Sequence, residues 1–204
     1  MQIVDLKESI RKRPFMYLGS GGIEGLLTDF IVDCISRLKT DKLTFTISVL
    51  GENDFSISLI PGTELRNILD DFHLADINGA YIHFDILKIL SNKFEFDKEI
   101  ENQFLIKFSF DKSVIADTMV DYQALCEKAL QVAILNKQVA IITKDLREKI
   151  PSQNYYHLPQ GVFYLFNRIV KRSLSAPVFK ITFDEMVQDT HYQIGLAYRN
   201  DWYP

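Results

Sequence analysis

The 204-residue chain is short of cysteine, histidine and net positive charge, and each shortage removes a class of function. Its two cysteines, Cys34 and Cys126, stand far apart among apolar neighbours, with no CxxC pair and no clustered histidines. That excludes a thiolate zinc site and a disulfide framework, and implies two buried thiols in a reducing compartment. The four histidines are single, and His73, His157 and His191 have no acid or cysteine placed to suggest a triad or a metal site. Lysine and arginine number 23 against 27 acids, a formal charge of −4, which argues against a dedicated nucleic-acid binder. No stretch approaches the ~18 uninterrupted apolar residues of a membrane span. The N-terminus is charged without a following apolar run, so it is no signal peptide. A cytoplasmic protein with no membrane partner is the expectation.

What the chain has is apolar and aromatic residues: 47% hydrophobic, with 15 Phe and 9 Tyr. A globular chain of one or two domains follows. Gly19 to Gly22 read as a flexible turn. Apolar residues at three- and four-residue intervals predict a helix over about 23–38. Alternation predicts a hairpin of strands at 43–49 and 55–60 with one buried face, ended by Pro61-Gly62. A short helix at 64–72 and a loop follow, then a helix at 80–90 and strands at 93–97 and 103–110. Next come a helix at 122–135, a strand at 138–143, a polar loop over 146–159 with two prolines, and a helix at 161–172. Strands at 178–183 and 192–198 close the chain. This order fits an α+β two-layer sandwich of helices on one side of a sheet. Two strands and a helix make a poor domain alone, so the last segment reads as the start of something further.

The opening Ile10-Arg11-Lys12-Arg13-Pro14-Phe15-Met16-Tyr17-Leu18-Gly19, with a glycine-rich turn and Gly25-Leu26-Leu27, closely resembles the RKRPxMYIG and GLHH segments of gyrase B and related type II topoisomerases. Further segments resemble the same family in the same order. They are Ser91 to Phe96, Asp121 to Thr143, Tyr155 to Val162, and Gln193-Ile194-Gly195-Leu196-Ala197-Tyr198-Arg199-Asn200-Asp201. The resemblance implies the GHKL (Bergerat) ATPase fold over residues 1–150 and a partial transducer-like segment over 151–204.

It also implies where nucleotide chemistry would sit. The family's Glu-x-x-Asp-Asn helix motif supplies a water-activating base and a Mg²⁺-holding asparagine. If Asp33 takes the aspartate place, Phe30 replaces the base and Cys34 the asparagine. Aligned without a gap, Val32 takes the base position and Ser36 the asparagine's. Neither alignment restores a proton acceptor. Of the Asp-x-Gly-x-Gly motif only Gly62 remains, without its aspartate. Of the glycine-rich lid that would bind phosphates at a helix N-terminus only Gly79 remains, with Phe84 and Asp85 about where glycine is needed. Asp33, Cys34, Gly62 and Gly79 are therefore remnant pocket positions, and neither ATP nor Mg²⁺ is expected as a cofactor.

The expectation is a catalytically inactive binding or regulatory protein, with a protein partner or a second copy of itself. An ATP-hydrolysing protein with a non-standard site and a DNA-associated accessory protein are the alternatives. Arg11, Lys12 and Arg13 either meet phosphates or an acidic partner, or form a solvated structural segment. Tyr17 reads as a packing residue, with an interaction as the alternative; His83 reads as an ordinary surface or core residue, with ligand binding in the vacated pocket as the alternative. Arg168, Lys171 and Arg172 form a basic edge, a solvated face by default and a DNA contact as the alternative.

Overall fold

The computed structural model describes residues 6–38, 42–61, 82–100, 103–172, 179–188 and 190–198. The predicted turn and helix open the body. Helices α1 (Leu6–Lys12) and α2 (Pro14–Leu18) lead through a single 3₁₀ turn, Gly19–Gly21, into α3 (Gly22–Leu38). Helix α3 buries Ile23, Leu26, Leu27, Phe30, Ile31, Cys34 and Leu38, the stripe its apolar spacing predicts.

The hairpin consists of β1 (Leu43–Val49) and β2 (Asp54–Pro61), in antiparallel register from Leu43 opposite Pro61 to Val49 opposite Phe55. Its turn is closed by the amides of Leu50 and Gly51, which both donate to the Asp54 carbonyl at 2.8 and 3.3 Å. Helix α4 (Ile82–Leu90) precedes β3 (Ser91–Ile100) and β4 (Gln103–Phe110). Helix α5 (Tyr122–Leu135) follows, its N-terminus capped by the Asp121 carboxylate, which accepts from the amides of Gln123 and Ala124. Strand β5 (Val139–Asp145) then pairs parallel to β1, the one parallel step in a six-stranded sheet ordered β3-β4-β2-β1-β5-β6. Helix α3 packs against both α4 and α5, and the three cover one face of this sheet. The predicted two-layer α+β sandwich is therefore present.

The segment read from its prolines and polarity as a loop over 146–159 contains β6 (Ser152–His157), which pairs antiparallel with β5 and extends the sheet past residue 150. Its side chains are almost all exposed, so no apolar alternation marks it; the backbone ladder with β5 makes it a strand. The expected short helix at 64–72 lies outside the described residues.

After β6 come α6 (Val162–Arg172) and a separate two-stranded sheet of β7 (Phe179–Val187) and β8 (Thr190–Tyr198). Two glycines permit their close approach. Gly161, at φ +56°, turns the chain where a Cβ would meet Gln193 Oε1 at 2.8 Å and Lys137 Cε at 3.0 Å. A Cβ on Gly195 would lie 2.6 Å from the Phe166 ring of α6. Among the described residues no helix is long and apolar enough to cross a membrane.

Candidate functional site

Helix α3 meets the N-terminus of α4 at the positions the sequence marks as remnants. Burial separates the two alignments of α3. Phe30 and Cys34 are fully buried in the core, so groups there cannot reach a ligand. Val32 is 43% exposed, and Ser36, four residues on, shares that open face. The ungapped alignment is thus the one whose residues face outward, an isopropyl group at Val32 and a hydroxyl at Ser36. Ser36 Oγ donates back to the Asp33 carbonyl at 2.8 Å, a local bond within the helix.

Asp33 lies between these faces, half-buried. Its Oδ2 accepts from His83 Nδ1 at 2.7 Å and from the His83 backbone amide at 3.3 Å. That amide belongs to the first turn of α4, where backbone donors lack partners within the helix and favour an anion. The protein's own carboxylate takes that place. The bond to Asp33 raises the His83 pKa, burial opposes it, and the charges of Asp33 and Asp29 add to the rise. Burial first, and the Asp33 charge second, push the Cys34 thiol well above its usual value. A neutral buried thiol is a poor partner for Mg²⁺, which requires oxygen ligands. Among the described residues no group of three His, Cys, Asp or Glu side chains could hold a metal ion.

Phenylalanine fills the layer between these helices and the sheet. The Phe84 ring of α4 lies 6.2 Å from Phe30, 5.4 Å from Phe94 and 6.0 Å from Phe96. Phe96 continues to Phe104 at 4.6 Å, and Phe94 through Phe108 to Phe55. Rings at these separations and tilts pack with favourable quadrupole geometry as well as buried area. Gly62 and Gly79 lie outside the described residues.

The remaining predicted residues are scattered over the molecule. Arg11 is committed internally, donating to Asp111 Oδ2 at 2.6 Å and to the Ile89 carbonyl at 3.1 Å. It ties α1 to the end of α4. The Ser113 hydroxyl first, and Arg11 next, hold Asp111 down to about 2. Lys12 pairs with Glu8 in solvent, and Arg13 is exposed. Tyr17 packs on the core, its hydroxyl 3.1 Å from Ser9 Oγ. Arg168 and Lys171 line an open hollow of about 690 Å³ with Gln160, Tyr164 and Asn167, and Arg172 ends α6.

Two groupings were not visible in the sequence. His191, expected to lack an acid partner, hydrogen-bonds Asp184, which also accepts from Lys137 at 2.9 Å and Gln193 at 3.1 Å. These donors, Lys137 foremost, hold the Asp184 carboxyl well below its usual range. Only the β7–β8 register brings residues 184, 191 and 193 together. Between α5, β5 and β6, Tyr122 donates to the Thr143 carbonyl at 3.0 Å, and Asn154 donates to Tyr122 Oη and Cys126 Sγ. Both cysteines are free and buried, as their apolar neighbours implied.

No protein-family model matches the chain, and no curated protein sequence matches it. Solved structures do. The B-subunit of the DNA gyrase from Myxococcus xanthus superposes with a TM-score of 0.70 at 17% identity, over 96% of this chain and 65% of that one. The 43K ATPase domain of Thermus thermophilus gyrase B, in complex with an aminocoumarin, gives 0.69 at 12% identity, over 93% of this chain and 61% of that one. The chain therefore spans less than two thirds of either neighbour. At these identities the likeness shows the fold alone: the chain folds like these gyrase B structures.

Proposed function

We propose that the chain is a catalytically inactive, gyrase-B-like protein that works as a cytoplasmic binding or regulatory module towards a protein partner. The observation that carries this reading is the Asp33 carboxylate seated on the first-turn amide of α4. An anion arriving there would have to displace a carboxylate already held by two donors, one of them a histidine whose affinity for protons that carboxylate raises. Val32 on the open face of α3 supports it further, since a hydrocarbon cannot take a proton from water. So does the run of rings from Phe30 through Phe84 to the sheet, which fills space between helices with packed apolar groups.

Isothermal titration of the chain with ATP·Mg²⁺ tests the reading. The expected result is no binding heat up to millimolar nucleotide and no shift of Tm. An aminocoumarin, the ligand in the Thermus gyrase B structure, is expected to be equally silent. Micromolar affinity for ATP·Mg²⁺ would sink the proposal.

A further inference from the structure

The β7–β8 ribbon meets the main body of the chain at one carboxylate. Asp184 of β7 accepts from Lys137 Nζ at 2.9 Å, from Gln193 Nε2 at 3.1 Å and from His191 Nε2. His191 and Gln193 stand on β8, and the β7–β8 register holds both beside Asp184 independently of the body. Lys137 comes from elsewhere, the connection between α5 and β5. Gln193 supplies a second side of the seat: its Oε1 accepts from the Val162 amide, at the start of α6, at 3.4 Å. Gly161 leaves room for it, since a Cβ there would lie 2.8 Å from Gln193 Oε1 and 3.0 Å from Lys137 Cε. The body thus reaches Asp184 with a cation, while the histidine on the same carboxylate belongs to the ribbon.

We infer that this cluster is a pH-responsive clasp, in which a proton on His191 loosens the seat of the ribbon on the body. The sign follows from which partner belongs to which part. His191 faces Asp184 with the ribbon seated or displaced, so their mutual attraction does not distinguish the two states. Seating adds the Lys137 ammonium, which stands on the same carboxylate and disfavours a second positive charge beside it. Seating therefore lowers the affinity of His191 for a proton, and by linkage a proton on His191 weakens the seat. The contribution of Lys137 is whole at alkaline pH and is partly lost as pH falls through the histidine range, about 5 to 8. Asp184 stays ionised there, because its donors, Lys137 foremost, hold its carboxyl well below the usual range. Other charges on these elements lie away from the corner. Glu185 alternates to the opposite face of β7, and Lys180, four residues back, bonds Asn167. Arg168, Lys171 and Arg172 come after the first turn of α6, Glu127 and Lys128 stand well before the end of α5, and Lys144 and Asp145 close the far end of β5. The Asp184, Lys137 and His191 side chains are 39%, 30% and 45% exposed, so solvent screens the effect. A change of roughly two- to fivefold in the seating equilibrium remains.

Single-molecule energy transfer in the full chain reads the seat directly, with dyes on Ile150→Cys in the body and Leu196→Cys in the ribbon. Both positions are exposed, and the two native cysteines are buried. The displaced fraction is expected to be roughly two- to fivefold larger at pH 5.5 than at pH 8. His191→Gln, which keeps a neutral donor, should abolish that dependence although His83 and His157 still titrate. Lys137→Gln should raise the displaced fraction at pH 8 and leave it flat with pH. Exchanging the charges, Lys137→Asp together with Asp184→Lys, should restore the seat and reverse the response, because seating then brings His191 an anion. An ion pair of purely structural value would not produce that reversal. A displaced fraction equal at both pH values in the parent chain overturns the inference. So does a pH response that survives His191→Gln.

Discussion

Strands β2 and β7 carry nearly the same alternation of large apolar residues, yet they end in opposite environments. In β2, Phe55, Ile57 and Leu59 are at most 1% exposed beneath the helix layer. In β7, Phe179, Ile181 and Phe183 are 39 to 56% exposed, and not one residue of the strand is buried. Period two places a set of side chains on one face, and it says nothing about what lies opposite that face. In the body, α3, α4 and α5 provide the opposing layer. In the ribbon, α6 packs on the polar side through Gly195, and among the described residues the apolar side stays open.

The largest effect should come from cutting equivalent rings in the two regions. Phe30→Ala is expected to lower the unfolding free energy by about 3–5 kcal/mol, because a fully buried ring leaves a cavity. Phe183→Ala, measured in urea at sub-micromolar chain, should cost less than about 1 kcal/mol. Equal losses would break the comparison. At the junction of the two regions, Gly161→Ala should cost about 1–3 kcal/mol, since the added Cβ meets Gln193 and Lys137 at a positive φ. A differential-scanning melt unchanged by that substitution would mean the ribbon is not seated on the body.

Within the body, Asp33→Asn should cost about 1 kcal/mol by weakening the link between α3 and α4. Its pH signature is specific. Partnering raises the His83 pKa in the folded chain, so the pair contributes fully below the unfolded histidine value, and that contribution is lost as pH rises through the raised folded value. Urea melts from pH 5 to 9 should show that loss in the parent chain and not in Asp33→Asn. The smallest effect is expected from Arg11→Gln, a Tm decrease of no more than about 2–4 °C, because the ion pair is partly exposed. Asp111 sets its pH range: a carboxyl lowered to about 2 favours the fold above the ordinary carboxylate value and loses that contribution as pH falls through about 2.

Much of the fold was legible because it rests on local periodicity. Helix α3, the β1–β2 hairpin and α5 fall where spacing alone predicts them. Strand β6 was not legible, because an exposed edge strand carries no burial pattern and owes its conformation to the ladder with β5. At the candidate site, the residue types that α3 presents could be read from the sequence. Which of two alignments faces outward could not, since that depends on which side of α3 the sheet covers. The partners of His83 and His191 were equally hidden, one lying 50 residues away and the other set by strand register.

Sequence by itself determined the order of elements, the buried stripes and the residue types at the α3 positions, because these follow from side-chain chemistry and the 3.6- and 2-residue periods of helix and strand. Tertiary structure alone decided that Arg11 is bonded to Asp111 and Ile89, that Asp33 occupies the amide end of α4, and that, among the described residues, one apolar sheet face is covered while another stands open. Those outcomes depend on contacts between segments distant in the chain, and no local pattern encodes which surface a distant segment will meet.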